Sequence, residues 1–298
     1  MDTNSNQARR VVIGITAHVD AGKTTLAEAM LYRTGQLRKL GRVDHGSAAM
    51  DSHLLERERG ITIFSSQAEL PIGDLEVTLL DTPGHVDFSA EMERTLSVLD
   101  YAILVISGAD GVQAHTRTLW RLLELYRIPT FLFVTKMDFG RCGRGQMMEH
   151  LHHELGEGCV DFTPADRERR MEQLATCRED ALEAYLDGGE VPDALVRQLV
   201  GRRLVFPCWF GSGLKLEGID EFLEGLARYV EPPAYPAAFS ARVFKISHDP
   251  QGKRLTHLKV TGGTLRVRDA VPYAGHQEKA AQLAQDRAPN ATLIKIQF

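Results

Sequence analysis

The chain has 298 residues, of which 43% are apolar and 25% charged, with a formal net charge of −5. This length suits two domains, and the composition is that of an ordinary globular protein rather than a membrane or disordered chain. Because the net charge is negative, the chain lacks the overall basic surface typical of nucleic-acid-binding proteins, so DNA is not an expected partner and RNA would need a local patch.

The lack of recognisable targeting signals and the cysteine usage favour a cytoplasmic location. The polar N-terminus lacks a signal-peptide core, and no apolar run approaches the roughly 20 residues of a membrane helix. The four cysteines are far apart and form no C-x-x-C pair, which favours free thiols in a reducing compartment. We therefore expect a cytoplasmic monomer with no membrane partner.

Apolar strands alternate with amphipathic helices up to about residue 230. The predicted strands are 11–15, 64–70, 76–80, 102–106, 130–134 and 205–209. Helices are predicted over 116–126 and 219–229 among others. Repeated alternation of this kind predicts an α/β fold with a mostly parallel sheet, in which ligands bind at the carboxyl ends of the strands.

The stretch of about 140–203 interrupts this alternation and predicts a helical insertion with one apolar face. It contains His150, His152 and His153, which could be interpreted as a metal site. A solvated helix surface is favoured, because no carboxylate or cysteine stands at a persuasive ligand spacing.

A proline-rich segment at 231–236 marks the clearest domain boundary. The prediction is a first domain over 1–233 and the start of a β-barrel domain over 238–298. Strands are predicted there over 239–246, 255–261 and 264–267, separated by glycine-containing turns. Since the chain stops at an alternating, strand-like run, we expect the barrel to be truncated and the chain to be the N-terminal part of a longer protein.

The first chemical motif follows the first predicted strand and opens a helix. Backbone amides and the positive end of the helix dipole would face phosphates in such a loop. Lys23 would reach the β- and γ-phosphates, and the Thr24 hydroxyl would bind Mg²⁺. The general pattern begins with Gly where this chain has Ala17, so an ordinary strand–turn–helix is the alternative. The predicted contacts are His18, Val19, Asp20, Ala21, Gly22, Lys23, Thr24 and Thr25.

Two further segments carry groups suited to the metal and the terminal phosphate. Asp81 ends a strand and can hold Mg²⁺ through water, while Gly84 leaves room for a γ-phosphate. His85 could then orient an attacking water, although a surface-loop histidine is the alternative. Thr62 can complete the Mg²⁺ shell, or it can simply begin a strand.

Two later loops carry groups that would select the base. Asp138 can accept hydrogen bonds from N1–H and N2–H of guanine, a pair that adenine does not offer. The Lys136 stem can pack on the base. The loop after the predicted strand over 205–209 would offer a backbone amide to guanine O6. The predicted base contacts are Thr135, Lys136, Asp138, Ser212, Gly213 and Leu214.

Taken in order, these five segments resemble the guanine-nucleotide motifs of the translational GTPases. The loop beginning at Ala17 is similar to that of the elongation factor G branch. Within that branch the residues of 55–63, 81–88, 96–100 and 110–114 most resemble the ribosomal protection proteins of tetracycline resistance. Two positions depart from the family: Thr135 stands where Asn is usual, which could lower guanine-nucleotide affinity, and Gly213 stands where Ala is usual.

The resemblance implies binding of GTP or GDP with Mg²⁺ and hydrolysis of GTP on the ribosome. It implies that Lys23, Thr24, Thr62 and Asp81 neutralise phosphate charge directly or through the metal. Lys23, Thr62 and His85 are then the catalytic residues, and the metal ligands are Thr24, Thr62 and Asp81. Val19 and Ile61 match an apolar gate in front of His85.

No arginine finger is evident in the motif loops, so we expect slow intrinsic hydrolysis that ribosomal RNA accelerates by ordering His85. Three alternatives stay open. One is an elongation factor G-like translocation factor, and a second is a GTP-gated binding module with negligible hydrolysis. The third is a P-loop ATPase or kinase, which is disfavoured because Asp138 selects guanine.

Overall fold

The computed structural model describes residues 9–38, 66–82, 89–139, 142–164, 167–248, 251–266, 269–273, 276–279, 282–284 and 293–297. Its main feature is a seven-stranded sheet, here the large sheet, with strand order β2-β3-β1-β4-β5-β7-β6. The strands are β1 Arg9–Ala17, β2 Ser66–Ile72, β3 Leu75–Asp81, β4 Tyr101–Ser107, β5 Thr130–Thr135, β6 Cys159–Asp161 and β7 Phe206–Phe210. Only β2 runs antiparallel to its neighbour, so the predicted α/β fold with a mostly parallel sheet is confirmed.

Helices cover both faces of the large sheet. They are α1 Lys23–Arg33, α2 Ser89–Leu96, α3 Ala114–Leu125, α4 Arg144–Leu155, α5 Arg167–Ala175, α6 Glu179–Gly188, α7 Asp193–Gly201 and α8 Ile219–Tyr229. Across the described ranges, each helix is too short or too polar to serve as a membrane span.

Alternate residues of the central strands build two separate cores. In β4, Ile103 and Val105 face the core that contains α1 and α8, whereas Leu104 and Ile106 face the core beneath α3 and α4. Because both faces are covered, every residue of β4 is buried. This is why the strands are continuous apolar runs in the sequence rather than alternating ones.

A close approach between α8 and β7 makes Gly225 intolerant of a side chain. A Cβ at this position would lie 2.2 Å from Cζ2 of Trp209. We predict that Gly225→Ala lowers the free energy of unfolding by about 1–3 kcal/mol, although alanine is the better helix former. Urea denaturation would measure it. Gly145→Ala is the control, since nothing lies within 4 Å of that helical position; equal effects of the two substitutions would refute the steric explanation.

The insertion is more divided than the sequence predicted. It contains α4, the short strand β6 and three further helices, α5 to α7. The expectation of a solvated surface for the histidines of α4 is right for His153, which is 83% exposed. It is wrong for the other two. His150 Nε2 accepts the amide of Val112 at 3.1 Å, and the His152 ring bonds the carbonyl of Cys159 at 2.7 Å. Both therefore fasten α4 to neighbouring segments.

A second, four-stranded sheet, here the small sheet, follows the proline-rich segment. Its order is β12-β13-β9-β8, and a separate hairpin pairs β10 with β11. The strands are β8 Ser240–His248, β9 Arg254–Gly262, β10 Ala270–Tyr273, β11 His276–Lys279, β12 Gln282–Ala284 and β13 Leu293–Gln297. The predicted strand over 264–267 is wrong for 264–266, where the Arg266 amide instead bonds the Asp269 carboxylate at 2.7 Å in a turn.

The small sheet packs on the large sheet around Asp100, which directly precedes β4. One carboxylate oxygen of Asp100 accepts from Lys259 Nζ at 2.5 Å and from the Tyr235 hydroxyl at 3.0 Å. The other oxygen accepts the amide of Val12 in β1 at 2.8 Å. An apolar cluster that includes Phe244 continues this contact. The junction therefore joins the small sheet to the strand that leads into the first motif.

Candidate nucleotide-binding site

The turn between β1 and α1 lies at the carboxyl edge of the large sheet. Asp20 and Gly22 both have left-handed backbone conformations, with φ of 60° and 91°. The Ala21 amide donates to the His18 carbonyl at 3.1 Å, which closes the turn. No side chain caps α1, and its first turn contains no acidic residue. The amino end of this helix therefore presents amides and a positive dipole to an anion.

A buried ion pair joins this turn to the end of β3. Lys23 Nζ contacts Asp81 Oδ1, and the two side chains are only 9% and 0% exposed. The Thr82 hydroxyl donates to the Ile15 carbonyl at 2.8 Å and holds the end of β3 against β1. Thr24 lies beside Lys23 on the first turn of α1 and is partly buried. A lysine, a carboxylate and a hydroxyl thus converge at one edge, as phosphate and metal binding require.

Two side chains from the end of β5 bind the same turn. The Thr135 hydroxyl is within hydrogen-bond distance of the Ala21 carbonyl, at 2.5 Å. Lys136 has a left-handed backbone with φ of 57°, and its ammonium donates to the Asp20 carbonyl at 2.6 Å. The segment predicted to contact the base is therefore fastened directly to the segment predicted to contact phosphate. Although Thr135 replaces the usual Asn, its hydroxyl still makes the bridge.

The two carboxylate oxygens of Asp138 differ in their partners. Lys215 Nζ lies 3.4 Å from its Oδ2, whereas the buried Oδ1 has no hydrogen-bond partner among the described residues. Burial opposes ionisation of this carboxyl. Hydrogen bonds from its own backbone amide, from Lys215 and from Ser212 outweigh burial and lower the pKa of Asp138. The side chain therefore carries a negative charge and an unfilled acceptor, which suits a ligand with N–H donors.

The loop after β7 closes the site on its other side. Its backbone is tied to the Asp138 segment, because the Met137 amide donates to the Gly211 carbonyl at 3.2 Å. Ser212 is buried, whereas Leu214 is 53% exposed. A Cβ on Gly213 would lie 3.2 Å from the carbonyl oxygen of Thr25. Gly213 therefore sits against the first turn of α1, where alanine would fit only tightly.

The first residues of the turn are placed near α3. The Nδ1 atom of His18 is buried without a hydrogen-bond partner among the described residues. The His18 ring lies 6.0 Å from that of His115, measured between centroids. Val19 is partly buried beside it.

Three predicted site residues, Thr62, Gly84 and His85, lie outside the described residues, as does Ile61. Sequence reasoning also missed two contacts: the ion pair of Lys215 with Asp138, and the bridge from Lys136 to the turn. A lysine three residues after Ser212 was the available signal for the first. Within the ranges that the structure describes, no group of three or more histidine, cysteine or acidic side chains is arranged to hold a metal ion.

The fold and this edge of the sheet define a class of protein. The chain belongs to the elongation factor Tu GTP binding domain family, whose model matches residues 8–232. The predicted resemblance to the translational GTPases is therefore confirmed.

The chain is also similar to individual proteins along most of its length. The chain is 39% identical over 313 residues to the oxytetracycline resistance protein of Streptomyces rimosus, covering 95% of this chain and 47% of that protein. It is 34% identical over 304 residues to the tetracycline resistance protein TetM from transposon Tn916 of Enterococcus faecalis, with the same two coverages. A crystal structure of a Thermus thermophilus protein superposes with a TM-score of 0.85 at 26% identity, covering 97% of this chain and 52% of that one. The chain thus spans about half the length of the curated relatives it matches.

Proposed function

We propose that the chain binds a guanine nucleotide between the β1–α1 turn and Asp138, and that it hydrolyses GTP. The observation that carries the proposal is the unfilled, buried Oδ1 of an ionised Asp138 at the same edge as Lys23. In this role Asp138 accepts hydrogen bonds from the N1–H and N2–H groups of guanine, and the aliphatic stem of Lys136 packs on the base. Ser212, Gly213 and Leu214 contribute backbone to the base pocket.

The phosphate half of the proposal assigns roles to the turn. Residues 18–25 surround the phosphates with backbone amides, and Lys23 exchanges its contact with Asp81 for the phosphate oxygens. Asp81 and the Thr24 hydroxyl are hard oxygen donors of the kind Mg²⁺ prefers, with Thr62 as the further ligand. When bound, Mg²⁺ would neutralise developing phosphate charge.

In the proposed hydrolysis, His85 orients the attacking water and Gly84 approaches the terminal phosphate. Lys23 and Thr62 stabilise charge on the transferred group. We expect slow intrinsic turnover with an external partner supplying the activation, since no arginine finger is evident from the sequence of the motif loops.

We further propose that this partner is the ribosome and that the whole protein protects ribosomes from tetracycline in the cytoplasm. The names of the relatives, tetracycline and oxytetracycline resistance proteins, support this assignment. A nucleotide domain over 1–233, with its insertion at about 140–203, and a partial β-barrel domain from 238 to 298 complete the proposal. An elongation factor G-like translocation factor is the nearest competing assignment.

The test compares GTP turnover by the chain with and without purified ribosomes. We expect slow turnover alone and a stimulation of at least about tenfold with ribosomes, because the activating group is supplied externally. His85→Ala should abolish the stimulation while leaving GDP affinity unchanged. A rate that does not respond to ribosomes would favour a GTP-gated binding module, and fast turnover by the isolated chain would refute the need for an activator.

The bridge from Thr135 to Ala21 provides a second prediction. Thr135→Val keeps the shape of the side chain but removes the hydroxyl, leaving a buried carbonyl without this donor. We expect GDP affinity to fall about fivefold to tenfold, equivalent to roughly 1–1.4 kcal/mol. Calorimetric titration would measure it, and Thr135→Ser, which retains the hydroxyl, is the control. An unchanged affinity in Thr135→Val would show that the bridge does not shape the site.

A further inference from the structure

A cleft with a volume of about 620 Å³ lies at the amino ends of β5 and β7, on the edge of the large sheet remote from the nucleotide site. The C-terminal ends of α3 and α7 form its walls. Its lining includes Trp120, Glu124, Arg127, Arg202, Arg203 and Phe206. Three arginines thus meet one carboxylate, in a chain whose net charge is negative.

Arg203 builds the floor of this cleft. Its guanidinium lies over the rings of Trp120 and Phe206, at 5.1 and 5.0 Å from their centroids. It also donates to the Thr130 hydroxyl at 3.0 Å and to the carbonyl of Ile128. These contacts hold the segment that follows α7 against the segment that follows α3. The Arg203 guanidinium therefore has a structural role.

Arg127 and Arg202 are not committed in this way. Both side chains are exposed, and within the described part of the chain neither forms an ion pair. Helix C-termini often attract cations because their last carbonyls lack partners. Here backbone amides already donate to three of the last four carbonyls of each helix, those of residues 122–124 in α3 and 198–200 in α7. The donors at the ends of α3 and α7 are the amides of Tyr126, Arg127, Ile128, Arg202, Arg203, Leu204 and Val205.

Arg127 also has an unusual backbone conformation. Its φ of 54° is in the left-handed region, where the residue after a helix is usually glycine. Arg203 occupies the same conformation at the end of α7, with φ of 60°, and its contacts account for it. Arg127 has no such contact among the described residues, so a ligand for its charge would explain why a side chain is kept there.

We propose that this cleft binds the phosphate backbone of an RNA strand through Arg127 and Arg202. An arginine fork can bind two phosphate oxygens at once, and two exposed arginines in one cleft can each contact a phosphate of the same strand. The choice of RNA as the polyanion rests on the proposed ribosomal function. An acidic protein segment is the competing occupant that the experiment must exclude.

The test measures fluorescence anisotropy of a fluorescein-labelled uridine 20-mer, with GDP at saturation so that the nucleotide site is filled. In Arg127→Gln/Arg202→Gln we expect RNA affinity to fall about tenfold at low salt. The slope of log affinity against log salt should decrease by about 1.4, or 0.7 for each lost single-strand phosphate contact. The control, Arg254→Gln/Arg266→Gln, removes the same charge from two exposed arginines of the small-sheet region and should leave the slope unchanged.

Three results would overturn the proposal: equal RNA affinity in the cleft variant and the parent chain, equal losses in both double variants, or displacement of the RNA by a glutamate 20-mer as readily as by unlabelled RNA. Displacement by inorganic phosphate or GMP alone at millimolar concentration would point to free phosphate as the source instead. GDP affinity is measured separately, by calorimetry on nucleotide-free portions of the same protein preparations. If the parent chain does not bind GDP, the proposed function is wrong. If it binds GDP but not RNA, only the proposed role of the cleft is wrong.

Discussion

Asp138→Asn should lose GDP affinity by about 100-fold, equivalent to roughly 2.7 kcal/mol, and should gain affinity for xanthosine diphosphate. In the proposed role, the carboxylate accepts hydrogen bonds from both N1–H and N2–H of guanine, and Oδ1, which has no partner among the described residues, is one of the acceptors. An asparagine amide instead offers one acceptor and one donor, which matches N1–H and the C2 oxygen of xanthine. Calorimetric titration with both nucleotides would measure the exchange.

The gain for xanthine separates a change of specificity from a loss of fold. Lys215→Met is a useful companion variant, because it removes the charge 3.4 Å from Asp138 while leaving the carboxylate in place. It should weaken GDP binding without favouring xanthine. If Asp138→Asn bound GDP and xanthosine diphosphate as the parent chain does, Asp138 would not be the residue that selects the base.

Asp100→Ala should destabilise the chain by about 3–5 kcal/mol, because it leaves a buried ammonium without its counter-ion. Asp100 and Lys259 are only 7% and 5% exposed, and burial already lowers the pKa of Lys259 despite the nearby carboxylate. The substitution also removes the acceptor for the Val12 amide and the Tyr235 hydroxyl. Urea denaturation followed by tryptophan fluorescence would measure the effect.

An exposed ion pair offers the matched control. Asp74→Ala removes the partner of Arg9 at a site where the side chains are 56% and 29% exposed, and it should cost no more than about 1 kcal/mol. The double variant Asp100→Asn/Lys259→Met, which removes both charges, should recover most of the loss. A loss in Asp100→Ala as small as that in Asp74→Ala would show that the junction contributes little to stability.

Long elements with a clear apolar pattern could be predicted from the sequence. The helix predicted over 219–229 matches α8 Ile219–Tyr229, because its apolar residues recur at helical spacing. The strand β6 was not predicted, since three residues are too few to show a period. The run over 264–267 has strand-like composition, but the bond from the Arg266 amide to Asp269 forms a turn there.

In the candidate site, the identity of the groups could be predicted, but their partners could not. The motifs indicated Lys23, Asp81 and Asp138, since each follows or ends an apolar strand. The bridges from Thr135 and Lys136 to the β1–α1 turn span more than 110 positions. Lys215 reaches Asp138 from another loop. Such contacts depend on how loops from separate strands meet at one edge, which no local pattern records.

The central claim is that the β1–α1 turn and Asp138 meet on a single guanine nucleotide. Isothermal titration of the purified chain with GDP and with ADP, in the presence of Mg²⁺, tests it most directly. We predict one GDP per chain and ADP binding weaker by at least about 100-fold, because adenine lacks the paired donors for Asp138. Equal affinities for the two nucleotides, or binding of neither, would contradict the claim.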